Sequence, residues 1–295
     1  MTHSPLIYYG YRVLGAVLPF VPRKLGYRLA AWAGVLAYYL KPGSAAVLRQ
    51  NLYHVLGGEA DESRVKTTAR QVFRNLAKNY YDLFHNHALD EEEAAAVVTV
   101  RDLHHVREGL KDGRGLILVS AHFGPFDAAW MIGRSLNLDI TAPAEHLKPD
   151  KLFRYVCQLR NNAWFKFLPV DQPLLGLYRT LRRGDTVAMA ADRDITGSGI
   201  LVDFFGAPAR MPDGAVRVAL RTGANLLTCF ALRQPDNSAV LQIEPPLQLE
   251  RTGDFEHDTR INVSRIIARM EKWIKQYPDQ WLVIHPVWGD GHDGI

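Results

Sequence analysis

The chain has 295 residues, 47% of them hydrophobic and 22% charged, with a formal net charge of +4 and a sequence pI near 9.0. That is the composition of a globular protein with a sizeable core. The mild basicity suits an anionic surface or substrate, but no basic run of five residues and no aromatic–basic stripe points to nucleic acid. Cys157 and Cys229 are far apart in the sequence, which argues against a disulfide framework or a cysteine-based zinc site and for two small core residues.

The first forty residues are the most apolar. Arg12, Pro19, Pro22 and the basic residues Arg23, Lys24 and Arg28 interrupt them, so no stretch of about 20 apolar residues exists to span a membrane. The pattern predicts a helical hairpin, with one helix near Ile7–Leu18, a proline break, and a second near Lys24–Leu40. Tyr8, Tyr9, Tyr11, Phe20, Tyr27, Trp32, Tyr38 and Tyr39 suit a lipid–water interface, where amphipathic rings sit among headgroups. Packing on the rest of the protein is the alternative use of the same residues. Helical periodicity continues to about residue 90.

The period then changes. Short apolar runs at 97–100, 115–120, 138–144, 166–170, 186–191, 225–232, 239–249 and 281–285 read as strands, and 200–205 as a strand or hairpin arm. Helical segments at 106–111, 126–136, 150–164, 174–183, 213–222 and 257–277 alternate with them. This alternation predicts an α/β fold with a mostly parallel central sheet flanked by helices. The expected organisation is a membrane-associating hairpin over residues 1–42, followed by one catalytic α/β domain over 43–295.

A histidine followed five positions later by an acid occurs five times, starting at His54, His85, His87, His122 and His285. His54, His85 and His87 fall at helix ends. His285 closes the last predicted strand. His122 follows "GLILVS", a run apolar on both faces as a central strand must be, and ligands of open α/β sheets bind past the carboxyl ends of such strands. Gly124 and Pro125 suit the start of a helix, which brings Asp127 towards the same rim. A neutral imidazole oriented by a carboxylate is a general base; an Asp in a first helical turn also serves the helix dipole without any catalytic role.

The second dense stretch is "MAADRDITGSGILVDFFGAPARMPDG", Met189–Gly214. A strand runs straight into Asp192, Arg193 and Asp194. Phe204 and Phe205 are expected to wall a greasy substrate, and Arg210 lies close behind them. The alternative is an Asp–Arg–Asp network that pins a turn. Between the two stretches, "PAEHLKPDKLFRYVCQLR" offers Glu145, His146, Lys148, Arg154 and Arg160 near a strand end. There is no GxSxG elbow, HExxH, P-loop or GxGxxG.

Together, "AHFGPFD", "AEHLKPDKLFR", "ADRDITGSGILVDFFGAPARMPDG" and "YPDQWLVIHPVW" resemble the bacterial lipid A biosynthesis acyltransferase family, and within it the phosphatidylinositol mannoside acyltransferases. The likeness spans nearly the whole chain. It implies a membrane-associated enzyme at the cytoplasmic face of the cell membrane, moving a fatty acyl group from acyl-CoA or acyl carrier protein to a glycolipid hydroxyl, with no metal or resident cofactor. It implies His122, Asp127 and Asp192 as catalytic residues and Glu145 and Arg160 as pocket residues; from the second dense stretch itself, Arg193, Asp194, Phe204, Phe205 and Arg210 are expected to bind substrate. At the position of Asp192 a member of the family carries the longer Glu. Ala121 stands where glycerolipid acyltransferases carry Asn, which counts against that branch. A hydrolase using the same histidine, or a non-catalytic lipid-binding protein, are the competing readings. Whether Asp127 or Asp192 holds His122, which groups stabilise an oxyanion (amides near Gly124 are one choice), and the oligomeric state are not fixed by the sequence.

Overall fold

A computed structural model describes residues 5–58, 60–86, 89, 91–161, 163–169, 175–195 and 197–289. Glu59, His87, Asp90 and Asp290, which belong to four of the five histidine–acid matches, lie outside the described residues. Helix α1 (Pro5–Val17) ends in a 3-10 turn at Leu18–Phe20, and α2 (Arg23–Leu40) follows the Pro22 break. Helices α3 (Pro42–Leu56) and α4 (Glu62–His85) complete the helical region. No helix among the described residues is long and apolar enough to cross a membrane. Two glycines let α2 lie against α4. A Cβ on Gly34 would meet the Phe73 carbonyl oxygen at 2.4 Å, and one on Gly26 would meet the Tyr81 ring at 2.2 Å.

The α/β part begins with α5 (Glu91–Val97), a helix beyond the residue-90 limit of the helical periodicity read from the sequence, and β1 (Val98–Arg101). Then come α6 (His104–Leu110), β2 (Leu116–Ser120), a 3-10 turn at Phe126–Ala129 leading into α7 (Trp130–Leu136), β3 (Ile140–Ala144), α8 (Asp150–Arg160), β4 (Phe165–Pro169), α9 (Leu175–Arg182) and β5 (Thr186–Ala190). The chain continues through β6 (Ile200–Phe204), β7 (Ala207–Met211), α10 (Gly214–Thr222), β8 (Asn225–Arg233), β9 (Ala239–Ile243) and α11 (Phe255–Gln276). Among the described residues these strands form a seven-stranded sheet in the order β1-β9-β8-β2-β5-β3-β4, parallel except between β8 and β9. The α/β class and the mostly parallel sheet agree with the sequence reading. Strands β6 and β7 form a separate antiparallel hairpin. Strand β7 is a second departure from the sequence reading, which runs this stretch directly into the next helix.

Residues 281–285, expected as a last strand, do not join the sheet. They cross its carboxyl edge and make one bridge, Trp281 to Phe123. The reason is how their backbone is used: the Leu282 N–H donates to the His122 carbonyl at 2.8 Å, and the Asn51 amide donates to the Val283 and His285 carbonyls at 3.3 and 2.8 Å. Strand β9 stops short of the predicted 249 because Pro245 and Pro246 cannot donate to a ladder.

A buried polar chain joins the N-terminal helices to the sheet. The Tyr27 hydroxyl donates to Asp82 Oδ1 at 2.7 Å. Arg233, at the end of β8, donates to Asp82 Oδ2 and to Asn79 Oδ1. Asn79 in turn donates to the Gly124 carbonyl at 2.7 Å. A buried ion pair such as Asp82–Arg233 resists loss of either partner, because the survivor is left charged and unsolvated.

The α2–α4 seam is tested by two glycine substitutions. Gly34→Ala is expected to lower stability by about 1–3 kcal/mol in chemical denaturation, since the added methyl overpacks a backbone contact. Gly10→Ala, with nothing within 4 Å of the new Cβ, is expected to be neutral or to stabilise by up to about 1 kcal/mol through helix propensity.

Candidate active site

Strand register builds the centre of the site. Ser120 of β2 pairs with Ala190 of β5. The chain runs two residues past each of these to His122 and Asp192, which therefore meet side by side at the carboxyl edge of the sheet. His122 Nδ1 lies 2.8 Å from Asp192 Oδ1, and the His122 backbone N–H donates to Oδ2 at 2.8 Å. The Trp281 indole N–H donates to the same Oδ2 at 3.0 Å. The Asp192 side chain is fully buried, whereas a third of the His122 side chain is accessible. That accessible part faces a cavity of about 850 Å³.

The electrostatics follow from this arrangement. Burial alone pushes the Asp192 pKa up, but the charge and hydrogen bonds of His122, with the Trp281 N–H, outweigh it and hold the carboxyl below its ordinary value. For His122, burial pushes the pKa down, and the Asp192 charge and hydrogen bond reverse it, leaving a net rise. An ionised Asp192 fixes the tautomer: Nδ1 carries the proton and Nε2 keeps the lone pair. No hydrogen bond to Nε2 forms among the described residues.

Asp127 has a different partner. Arg160 Nη2 donates to Asp127 Oδ2 at 3.0 Å, and Arg160 Nε lies 3.0 Å from Oδ1 without the angle of a hydrogen bond. The guanidinium sits over the Phe126 and Phe167 rings, 5.9 and 5.6 Å from their centroids, and Phe126 presents its edge to His122 at 5.6 Å. The motif acid thus braces the aromatic rim and leaves the imidazole to Asp192. The helical turn starts at Phe126 as expected, with Pro125 rather than Gly124 at its N-cap. Gly124 takes φ +53° outside the helix, where a Cβ would lie 1.9 Å from the Ala231 carbonyl oxygen, and the 3-10 turn begins at Phe126.

Of the other expected substrate contacts, Glu145, Arg160, Arg193 and Asp194 line the cavity. Arg193 Nη1 donates to Glu145 Oε2 at 2.9 Å. Asp194 accepts from the Gly197 and Gly199 amides at 3.0 and 2.8 Å, so its carboxylate folds the following loop. Phe204, Phe205 and Arg210 are not on the cavity wall. Phe204 is fully buried and stacks on Trp288 at 5.2 Å. The Phe205 N–H donates to Glu271, and Arg210 donates to the Gly199 carbonyl at 2.8 Å. The hairpin turns Phe204 into the core, leaves Phe205 half-buried and Arg210 exposed, and points none of them at the cavity, a consequence of local pairing that the composition of the stretch does not reveal.

The apolar wall lies elsewhere. Small residues on neighbouring strands, Ala142, Ala188, Ala190 and Ala231, leave space over the sheet, and Trp130, Trp164, Phe165 and Phe167 close it. Both cysteines border this space, unbonded. The signal for this wall was the run of alanines at successive strand ends, "TAPA" and "AMAA". His285 also borders the cavity, with its pKa lowered by burial and by the Arg193 charge. His85 stacks on Tyr81 and His54 on Trp288, both outside the cavity. No group of three or more His, Cys, Asp or Glu among the described residues is placed to hold a metal ion.

The chain is 29% identical over 257 residues to the phosphatidylinositol mannoside acyltransferase of Mycolicibacterium smegmatis, covering 85% of this chain and 82% of that protein. It is 30% identical over 267 residues to the protein of the same name from Mycobacterium tuberculosis, covering 85% and 79%. Residues 3–289 match the family described as bacterial lipid A biosynthesis acyltransferase. A match of this extent makes the chain an acyltransferase and a member of the bacterial lipid A biosynthesis acyltransferase family.

Proposed function

We propose that the protein transfers a fatty acyl group from the thioester of CoA or acyl carrier protein to a hydroxyl of a glycolipid of the phosphatidylinositol mannoside type, at the cytoplasmic face of a membrane. The observation that carries the reading is the His122–Asp192 pair at the head of a large apolar cavity. His122 Nε2 takes the proton of the acceptor hydroxyl as its oxygen bonds to the thioester carbonyl carbon. The carbonyl π electrons move onto oxygen. Their return expels the thiolate, which takes the proton back from the imidazolium, leaving an ester and a free thiol. Asp192 stabilises the imidazolium meanwhile. General base catalysis of this kind contributes about 10²–10⁴-fold, roughly 3–5 kcal/mol. Asp127 and Arg160 hold the rim, and the alanine-floored cavity takes the acyl chain.

The N-terminal helices support the membrane part of the proposal. Leu6, Phe20, Trp32 and Leu40 are each at least 70% exposed, and Val13, Leu14, Val17, Leu29 and Leu36 lie exposed on the same two helices. A patch of this kind marks an interaction surface, and Arg12, Arg23, Lys24 and Arg28 supply the charge that anionic lipid attracts. Tyr11 of α1 and Tyr80 and Leu83 of α4 border the cavity, so a lipid acceptor would reach His122 from this side.

Three measurements test the proposal: turnover, its pH profile and vesicle binding. With palmitoyl-CoA and phosphatidylinositol mannoside, His122→Ala is expected to lose transfer while remaining folded by circular dichroism; near-normal turnover would rule out the histidine as base. The base must be neutral, so kcat/KM is expected to fall as pH drops through the raised His122 pKa, with an acidic limb above the ordinary value of about 6.5. Asp192→Asn removes the charge that raises it and is expected to move that limb to lower pH. For the membrane surface, Phe20→Glu combined with Trp32→Glu is expected to weaken sedimentation with phosphatidylglycerol vesicles at least ten-fold, given about 1.5–3 kcal/mol per buried apolar side chain. Unchanged binding would remove these helices from the interface.

A further inference from the structure

The reaction needs a group that stabilises the negative charge on the thioester oxygen. In most acyl transfers that group is a set of backbone amides. Here the turn beside His122 has almost none to give. The His122 amide is bound to Asp192. The amides of Phe123, Gly124, Phe126 and Ala128 donate to the carbonyls of Ala121, Gln280, Gly124 and Pro125, at 2.8, 2.7, 3.0 and 2.9 Å. Pro125 has no N–H. The Gly124 amide, the natural candidate from the sequence, is therefore spent on holding the turn, and only that of Asp127 is left.

Two arginines line the cavity with His122. Arg160 is held at two of its nitrogens against Asp127 and lies over two aromatic rings. Arg193 is tied through one nitrogen, Nη1, to Glu145, whose side chain is 43% exposed and so a weaker neutralising partner than Asp127 at 23%. Arg193 follows Asp192 directly, so one strand end supplies both the carboxylate that turns into the core towards Nδ1 and a cation on the cavity wall. Its charge acts on both His122 and His285, and on His122 more strongly than that of Arg160. His285, with its pKa lowered, adds no competing positive charge.

We propose that Arg193 is the oxyanion-stabilising residue of this acyltransferase, and that Glu145 is the positioning residue that aims its guanidinium. This rests on the acyl-transfer reading above. As the C–O bond forms and the carbonyl π pair moves to oxygen, the free guanidinium nitrogens donate to that oxygen. When the C–S bond breaks, the pair returns to the carbonyl and the hydrogen bonds relax. The donor is a side chain, so its charge is also felt by the base, and that coupling gives the proposal its distinctive readout.

The test uses the full-length protein with palmitoyl-CoA and phosphatidylinositol mannoside, following kcat, both KM values and the pH profile. Arg193→Met is expected to lower kcat on the order of 10²–10³-fold, with both KM values within about three-fold. It is also expected to move the acidic limb to higher pH, because a cation that disfavours the imidazolium is gone. Arg193→Lys is expected to recover part of kcat and keep the limb in place. Glu145→Gln is expected to lower kcat less than Arg193→Met. The proposal is overturned if Arg193→Met keeps kcat within ten-fold of wild type, or if its loss lies wholly in the acceptor KM, which would make Arg193 a headgroup contact. Should Arg193→Met fail to fold, the Arg193→Lys and Glu145→Gln variants decide: kcat unchanged in both overturns it, and a fall in kcat at constant KM supports it. A wild-type protein that transfers no acyl group contradicts the underlying reading instead, whatever the variants do.

Discussion

A single buried carboxylate organises this protein. Asp192 accepts from the ring and the backbone of His122 and from the indole of Trp281. These donors come from the loop after β2 and from the segment that crosses the sheet edge, while Asp192 itself lies two residues past the end of β5. An ionised carboxylate in the interior is costly unless such donors surround it. Its presence thus explains why residues 281–285 forgo a place in the sheet: Trp281 is required at the carboxylate, and Leu282 at the His122 carbonyl. The ring is fixed on one nitrogen and left open on the other, the condition for a base whose tautomer does not wander.

A second layer of polar contacts carries this order outward. The motif turn is gripped at Gly124 from two sides, by Gln280 on its amide and Asn79 on its carbonyl. Asn79 accepts from Arg233, which also reaches Asp82, and Asp82 accepts from Tyr27 on α2. The helices that present the exposed apolar surface are thus bonded through four buried side chains to the turn that carries the histidine. Removing Tyr27 or Asn79 would disturb the turn that carries His122, and if His122 acts as proposed, misplacement of about 1 Å at such a site can cost on the order of 10²-fold in rate.

Much of this was legible in the sequence. "LILVSAH" and "TVAMAAD" are two apolar strands that each run to a chemical residue two positions past the end, and laying them in parallel register puts His122 beside Asp192. The two N-terminal helices, the parallel sheet and the place of His122 above it followed from periodicity alone; the packing of α2 on α4 and of α1 on α8 did not. The division of labour between Asp127 and Asp192 did not, because it depends on Arg160 folding back from α8 to claim Asp127, a tertiary contact with no local signature. Phe204, Phe205 and Arg210 misled for a related reason: their chemistry suited a lipid wall, but the tight hairpin between β6 and β7 holds them away from the cavity, Phe204 in the core and Arg210 on the surface. The true wall is made largely of alanines, whose contribution is the space they leave, and absence of bulk is hard to read as a function.

The central claim is that Asp192, fully buried and ionised, fixes the protonation state of His122. It is tested most directly by nitrogen-15 NMR of the His122 imidazole across a pH titration of the wild-type protein. The account predicts a neutral ring protonated at Nδ1 and bare at Nε2, with a pKa above the ordinary histidine value of about 6.5. A ring protonated at Nε2, or one that titrates below that value, would contradict it.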